Sequence, residues 1–528
     1  MMHEFEILLG LLVAVAVLAV VAQKLKVPYP ILLVLGGLAL GFVPGLPKVE
    51  LEPDVVFLLF LPPLLTSAAW NTSWRDFQAN RRPIFLLAIG LVLVTTTAVA
   101  VVAHWAIPNM PWATAFALGA IVSPPDAVAA TAITQRLGVP HQVVTILEGE
   151  SLVNDATGLV AYRFAVAAGV TGLFSIWEAG LRFLVLSVGG VLLGLAMGWL
   201  VVWIHRQIED SLVEITTTIL MSYITYLVAE HLGVSGVLSV VALGLYHRRH
   251  SSEVLSPRTR IQAIATWDML VFLLNGLIFI LIGLQLPHII EAIAEESLLS
   301  LSAYAGLISL TVILVRLLWV GLAAYLPQSN RAARAGGNTD WSQVIIIGWA
   351  GMRGIVSLAA ALAIPLVTDA GTPFPQRNLV IFLTFCVILV TLVLQGLTLP
   401  PLIRWLKVTA DNSSEREEMQ ARLRSAEAAM AHIESVTTAN PTPIQTEMVD
   451  WLRTQYRERI RRLSVCCDAL NDCNQQKLAA FQRLQNEAVE AERRTVIRLR
   501  NQGAINDEVL QKIERDLDLE ATRLGGSS

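Results

Sequence analysis

Three strings in this 528-residue chain place acids, amides and helix breakers inside otherwise apolar runs. The first is Glu148-Gly149-Glu150-Ser151-Leu152-Val153-Asn154-Asp155-Ala156-Thr157. Ser151 and Asp155 are four apart and share one helical face, while Glu150 and Asn154 share the adjacent one. A hard, singly charged cation prefers oxygen ligands, which a carboxylate, a hydroxyl and an amide supply. The same carboxylate can hold a proton instead of a cation, but not both at once. That competition is the minimal device for exchange. The plainer alternative is a structural polar cluster.

The second string is Ser123-Pro124-Pro125-Asp126. Neither proline can donate a backbone hydrogen bond, and Pro125 disfavours helical geometry at Pro124. The helix is expected to open here and free carbonyls on one side. Asp126 then begins a second half-helix, where the macrodipole favours negative charge. The alternative is a proline kink with a capping Asp. The third string, Gly348-Trp349-Ala350-Gly351-Met352-Arg353-Gly354, carries glycines that permit unwinding and an arginine that needs a counter-charge. Glu150 is the candidate, since an unpaired buried charge is prohibitive. Arg163 and Arg316 are expected to pair with an acid or snorkel, in structural roles. His104, His141, His205, His231, His247, His250 and His288 are expected in loops or at interfaces, which leaves a histidine proton relay unsupported.

The elements that must position these groups follow from composition. The chain is 55% hydrophobic and only 15% charged, against about 25% charged in soluble proteins. From Phe5 to about Leu406 apolar runs near twenty residues succeed one another. Such a run crosses the roughly 30 Å hydrocarbon layer as a helix, and the short alternating segments of a β-barrel are missing. Thirteen spans are expected, near 5–22, 27–44, 53–70, 83–103, 112–135, 142–167, 179–204, 212–230, 233–247, 266–286, 300–325, 342–367 and 379–403. The first lacks a basic leader and a cleavage site, so it reads as a span and not as a removed signal peptide.

Basic residues recur in every second loop: Lys24 and Lys26, Arg75, Arg81 and Arg82, Arg136, Arg206, Arg248 to Arg260, Arg331 and Arg334, then Arg404 and Lys407. The excess of Lys and Arg marks the cytoplasmic side, which puts the N-terminus outside and the tail in the cytoplasm. The four cysteines, Cys386, Cys466, Cys467 and Cys473, have neither zinc spacing nor a disulfide framework.

Residues 1–406 are thus expected to form a transmembrane domain and 407–528 a helical cytoplasmic one. In the tail, Ser414 and Glu417 suit a capping box, and Asn440 to Pro443 end the first helix. A second helix is expected from about Gln445 to Asn501, with Gly503 as its C-terminal cap, and Asn506 caps a short third. The tail reads as a structural or assembly element. If spans 1–6 and 8–13 are inverted repeats, the broken fifth and twelfth correspond. Matched interruptions of that kind point to a transporter site near the midplane.

Ser123-Pro-Pro-Asp126-Ala-Val-Ala, Gly149-Glu-Ser-Leu-Val-Asn154-Asp155-Ala, His231-Leu-Gly-Val-Ser235-Gly236 and Gly351-Met-Arg-Gly354 together resemble the monovalent cation:proton antiporter-1 family, the sodium/proton exchangers. The likeness covers about 5–405. It implies an all-α polytopic fold with two broken, crossing helices, working by alternating access as a homodimer in a bacterial inner membrane and serving pH and sodium homeostasis. Asp155 would carry cation and proton alternately, with Asn154, Ser151 and the Pro125 carbonyl helping to form the site. Glu150 and Arg353 would form a buried ion pair. An Asn-Asp pair is associated in this superfamily with electroneutral exchange. Two departures stand out: Thr66 and Ser67 replace an acid common after Pro62-Pro63, and Pro125-Asp126-Ala127 replaces Thr-Asp-Pro, losing the threonine hydroxyl but keeping the carbonyl.

Sodium or lithium is the expected cation, with potassium/proton exchange as the nearest variant. A channel would call for a TVGYG-like filter or a charge ring, and an enzyme for a nucleophile with its base or a metal set. Neither appears in the sequence, so the chain is not expected to be an enzyme. No cofactor beyond the transported ions and no nucleic-acid partner is expected.

Overall fold

The computed structural model describes residues 2–25, 27–43, 53–172, 176–291, 293, 297–325, 341–408, 413–437, 443–468, 475–502, 504 and 507–525. Lys26, Lys48, Arg331, Arg334, Glu295, Glu296, Asn440, Cys473, Gly503 and Asn506 lie outside them. Two compact units form, Met1–Ala410 and Asp411–Ser528.

The first unit is helical, with α1 Met2–Leu25, α2 Tyr29–Gly41, α3 Pro53–Asn71 and α4 Arg81–Ala106. After them come α5 Trp112–Val122, α6 Ala127–Arg136, α7 His141–Thr171 and α8 Ile176–His205. Next are α9 Ser211–His231, α10 Gly236–Val254, α11 Pro257–Leu284 and α12 Leu298–Tyr325. The unit ends with α13 Trp341–Trp349, α14 Ile355–Leu362 and α15 Arg377–Trp405. Among the described residues, 8 helical segments are long and apolar enough to cross a membrane. The chain is an all-helical, multi-span membrane protein. The other candidate spans fall short for identifiable reasons: α2 is only 13 residues long, α7 carries the acidic string, and α13 and α14 are halves of one interrupted segment.

The helices sort into two bundles. In one, α1, α2, α3 and α8 to α11 pack together; in the other, α4 to α7 pack with α12 to α15. The first bundle closes through small residues: a Cβ on Gly37 of α2 would overlap the Ile280 carbonyl of α11, and one on Gly283 would overlap the Val34 carbonyl. Small residues of this kind let membrane helices approach backbone to backbone. A seam separates the bundles, where α7 meets α3 and α10, and α14 meets α3 and α11. Leu152 and Ala156 of α7 pack there with Leu61, Leu65, Val237 and Val241.

Among the described residues, two π-helical turns interrupt the second bundle, Leu86–Leu91 in α4 and Thr391–Gln395 in α15. Both are local widenings of a kind that recurs at functional sites.

The second unit contains α16 Ser413–Thr437, α17 Pro443–Asp468, α18 Gln475–Asn501 and α19 Asp507–Gly525. Of the helix expected from 445 to 501, Pro443–Asp468 and Gln475–Asn501 are helical, and residues 469–474 lie outside the described residues.

Candidate functional site

α5 ends at Val122 and α6 begins at Ala127, so the chain opens at Ser123-Pro124-Pro125-Asp126. Asp126 caps the new helix, its Oδ1 accepting from the Val128 N–H at 2.8 Å. On the other interrupted segment, α13 stops at Trp349 and α14 starts at Ile355. The two openings meet: the Asp126 N–H donates to the Met352 carbonyl at 2.7 Å. A Cβ at Gly354 would overlap the Asp126 carboxylate. Gly354 is therefore the residue type this crossing requires.

α7 lies against this crossing. Asn154 donates from Nδ2 to the freed Pro125 carbonyl at 2.9 Å, while its Oδ1 is buried without a donor. Asp155 follows directly and is 8% exposed; Ser151, one turn earlier, is half-buried. Asp126 is half-buried as well and close enough to interact electrostatically with Asp155. Of the residues singled out from the sequence, Asn154, Pro125 and Asp126 meet at the helix break, with Asp155 next to Asn154 in α7 and Ser151 one turn earlier.

The expected ion pair between Glu150 and Arg353 does not form. Glu150 is held by Arg316 of α12, with Nη1 to Oε1 at 2.6 Å and Nη2 to Oε2 at 2.8 Å. The side chains are 0% and 1% exposed, so snorkelling does not describe Arg316. Its Nε and Nη2 also donate to the Ile347 carbonyl of α13. Arg353 serves backbone instead. It donates from Nε to the Val122 carbonyl at 2.9 Å, from Nη2 to the Ser123 carbonyl at 3.2 Å, and from Nη1 to the Gly351 carbonyl. The physical reason is the broken helix: the last carbonyls of α5 lack intrahelical donors and form the negative end of its dipole, so they take the cation. The acid is left to the other arginine.

Arg316 pairs with an acid, one of the two expectations for it, but its partner is Glu150, the acid expected to pair with Arg353. One contributor was missed. Thr391 of the second π-turn accepts from the Arg353 N–H at 3.2 Å, which no local pattern indicates. Elsewhere, His205 and His247, expected at an interface, are each 1% exposed and share a hydrogen bond at 3.2 Å.

A family model described as "Sodium/hydrogen exchanger, transmembrane" matches residues 10–405. The chain belongs to that family. It is accordingly a cation/proton antiporter, not an enzyme. An uncharacterized Na(+)/H(+) exchanger of Mycobacterium tuberculosis is 36% identical over 525 residues, 98% of this chain and 96% of that protein. The sodium, potassium, lithium and rubidium/H(+) antiporter of Bacillus subtilis is 37% identical over 76% of this chain and 61% of its own length. Among solved structures, the sodium proton antiporter MjNhaP1 from Methanocaldococcus jannaschii at pH 8 superposes with a TM-score of 0.61. That match has 22% identity and covers 77% of this chain and 99% of the other. The likeness establishes a shared fold.

Proposed function

We propose that this exchanger moves sodium or lithium against protons, one for one, with Asp155 as the shared carrier. The observation that carries the reading is the Asn154–Pro125 bond, which joins the helix bearing Asp155 to the opened backbone of the other. Asp155, the buried Asn154 Oδ1 and the half-buried Ser151 then supply the oxygens for a dehydrated cation, with Asp126 beside them. The Pro125 carbonyl retains a second lone pair for the same purpose.

Coupling follows from burial. An ionised carboxylate without a partner is expensive in a low-dielectric interior. Asp155 is therefore stable with a proton or with a cation and unstable with neither. Movement of the empty, charged form between the two faces is suppressed, so a cation can leave only in exchange for a proton. One titrating acid gives electroneutral exchange, and Asp126 stays engaged with the Val128 N–H as a fixed cap.

Counting the interrupted, short and polar segments with the eight evident spans gives thirteen crossings. The loop charges support an N-terminus outside and residues 407–528 in the cytoplasm of a bacterial cell, with 1–406 as the antiporter domain. The assembly proposed is a homodimer in the inner membrane. Potassium/proton exchange is the second reading, favoured by the breadth of cations in the name of the Bacillus relative.

The test is proton movement in everted vesicles driven by sodium, lithium, potassium and rubidium in turn. Sodium and lithium should each drive it and a clamped membrane potential should not change the rate. Response to potassium alone would replace the first reading with the second.

A further inference from the structure

Away from Asp155, a charged contact between the two bundles spans the seam. Arg163 of α7 donates from Nη2 to both carboxylate oxygens of Glu230 on α9, at 3.1 and 3.0 Å. The pair borders a cavity of about 780 Å³ that is also lined by Phe57, Tyr162, Tyr226 and Asp369. A smaller recess shares Arg163 and Glu230 and continues along α7 past Leu159 to Ala156, the neighbour of Asp155. Asp155, Leu159 and Arg163 are spaced by four and form one stripe of the helix, which rises about 12 Å over those eight residues. The recess thus runs along α7 from Arg163 to Ala156, the residue that follows Asp155.

The two partners are anchored differently. Glu230 is the penultimate residue of α9 and its Oε1 sits against the first residue of α10, where a side chain at Gly236 would crowd it. It belongs to the bundle opposite the site. Arg163 rides on the helix of Asp155 itself. Any sliding of α7 along the seam by one helical turn, about 5.4 Å, exceeds a hydrogen bond's range and must part them.

We propose that Arg163–Glu230 is a latch across the seam, which holds α7 in the position where the recess reaches Ala156, next to Asp155. This rests on the exchange reading above, and the loop charges put the cavity on the outer face. Arg163 and Glu230 are positioning residues, because neither is placed at the cation site.

Right-side-out and everted vesicles carrying E230Q, R163Q or the swap R163E/E230R test it. A latch makes both single changes act in the same direction. By depleting the competent state, each should raise the apparent KM for sodium offered at the outer face about two- to fivefold, the range of an exposed ion pair. The turnover at saturating sodium should be retained, and the swap should return the KM towards the unmodified value. Opposite signs for the two single variants would mean that the charges act on the cation through space. That result overturns the latch, as do unchanged KM values, equal shifts at both faces, or a swap no better than the singles. Absence of exchange in the unmodified protein removes the exchange reading, and the latch with it; the other failures remove the latch alone.

Discussion

Glu150 and Arg316 face each other through two parallel hydrogen bonds of 2.6 and 2.8 Å, with both side chains sealed from solvent. The bond ties α7, which carries Asp155, to α12, and through the Ile347 carbonyl to α13. It fixes the acid-bearing helix within its own bundle. A fork-shaped guanidinium suits this task because it meets a carboxylate at two points.

Removing one member of the pair leaves a buried charge without a partner. Glu150→Ala and Arg316→Ala should each cost about 3–5 kcal/mol, read as a lowered melting temperature in detergent. The double change should cost less than the two added together. Glu150→Ala with Arg353→Ala should show much the weaker coupling, since Arg353 holds the Val122 and Ser123 carbonyls.

Gly354→Ala adds one methyl group where the Asp126 carboxylate already sits. Overpacking of this kind costs about 1–3 kcal/mol, so the variant should insert and fold but lose most exchange. Measuring both melting temperature and sodium-driven proton movement checks this. Normal exchange would mean that the crossing tolerates a shifted Asp126.

Much of this site is legible in the sequence, because consecutive prolines and clustered polar groups are improbable in apolar spans unless they have a task. Pro124-Pro125 located the opening of α5, and the glycines around Arg353 located that of α13. The pairing of the arginines was not legible. Glu150, Arg316 and Arg353 are far apart in the chain, and their distribution depends on which carbonyls the openings leave without donors. Nor could periodicity reveal that Thr391 lies on a π-turn facing Arg353, since one extra residue in a turn leaves no mark on an apolar run.

Competition for a single carboxylate fixes the sign of the pH dependence. While most of Asp155 is protonated, each unit drop in pH should raise the apparent KM for sodium about tenfold, since one proton must leave for each cation bound. The maximal rate at saturating sodium should change far less. Initial rates across a pH series check this, and a KM independent of pH would show that cation and proton occupy different groups.

Asp126→Asn separates a capping role from a carrying one. An amide oxygen still accepts from the Val128 N–H, so the fold should persist. If Asp155 alone titrates, exchange should remain electroneutral, with weakened cation affinity. A rate that becomes or ceases to be sensitive to membrane potential would assign Asp126 a share of the transported charge.

Asp155→Asn is the most direct measurement, made on reconstituted protein as proton movement driven by a sodium gradient. The amide keeps the size and most hydrogen-bonding capacity of the acid but can neither neutralise a cation nor hold an exchangeable proton. Exchange should fall to the level of empty liposomes while the protein remains folded and inserted. Sodium-driven proton movement persisting in this variant would contradict the assignment of Asp155 as carrier.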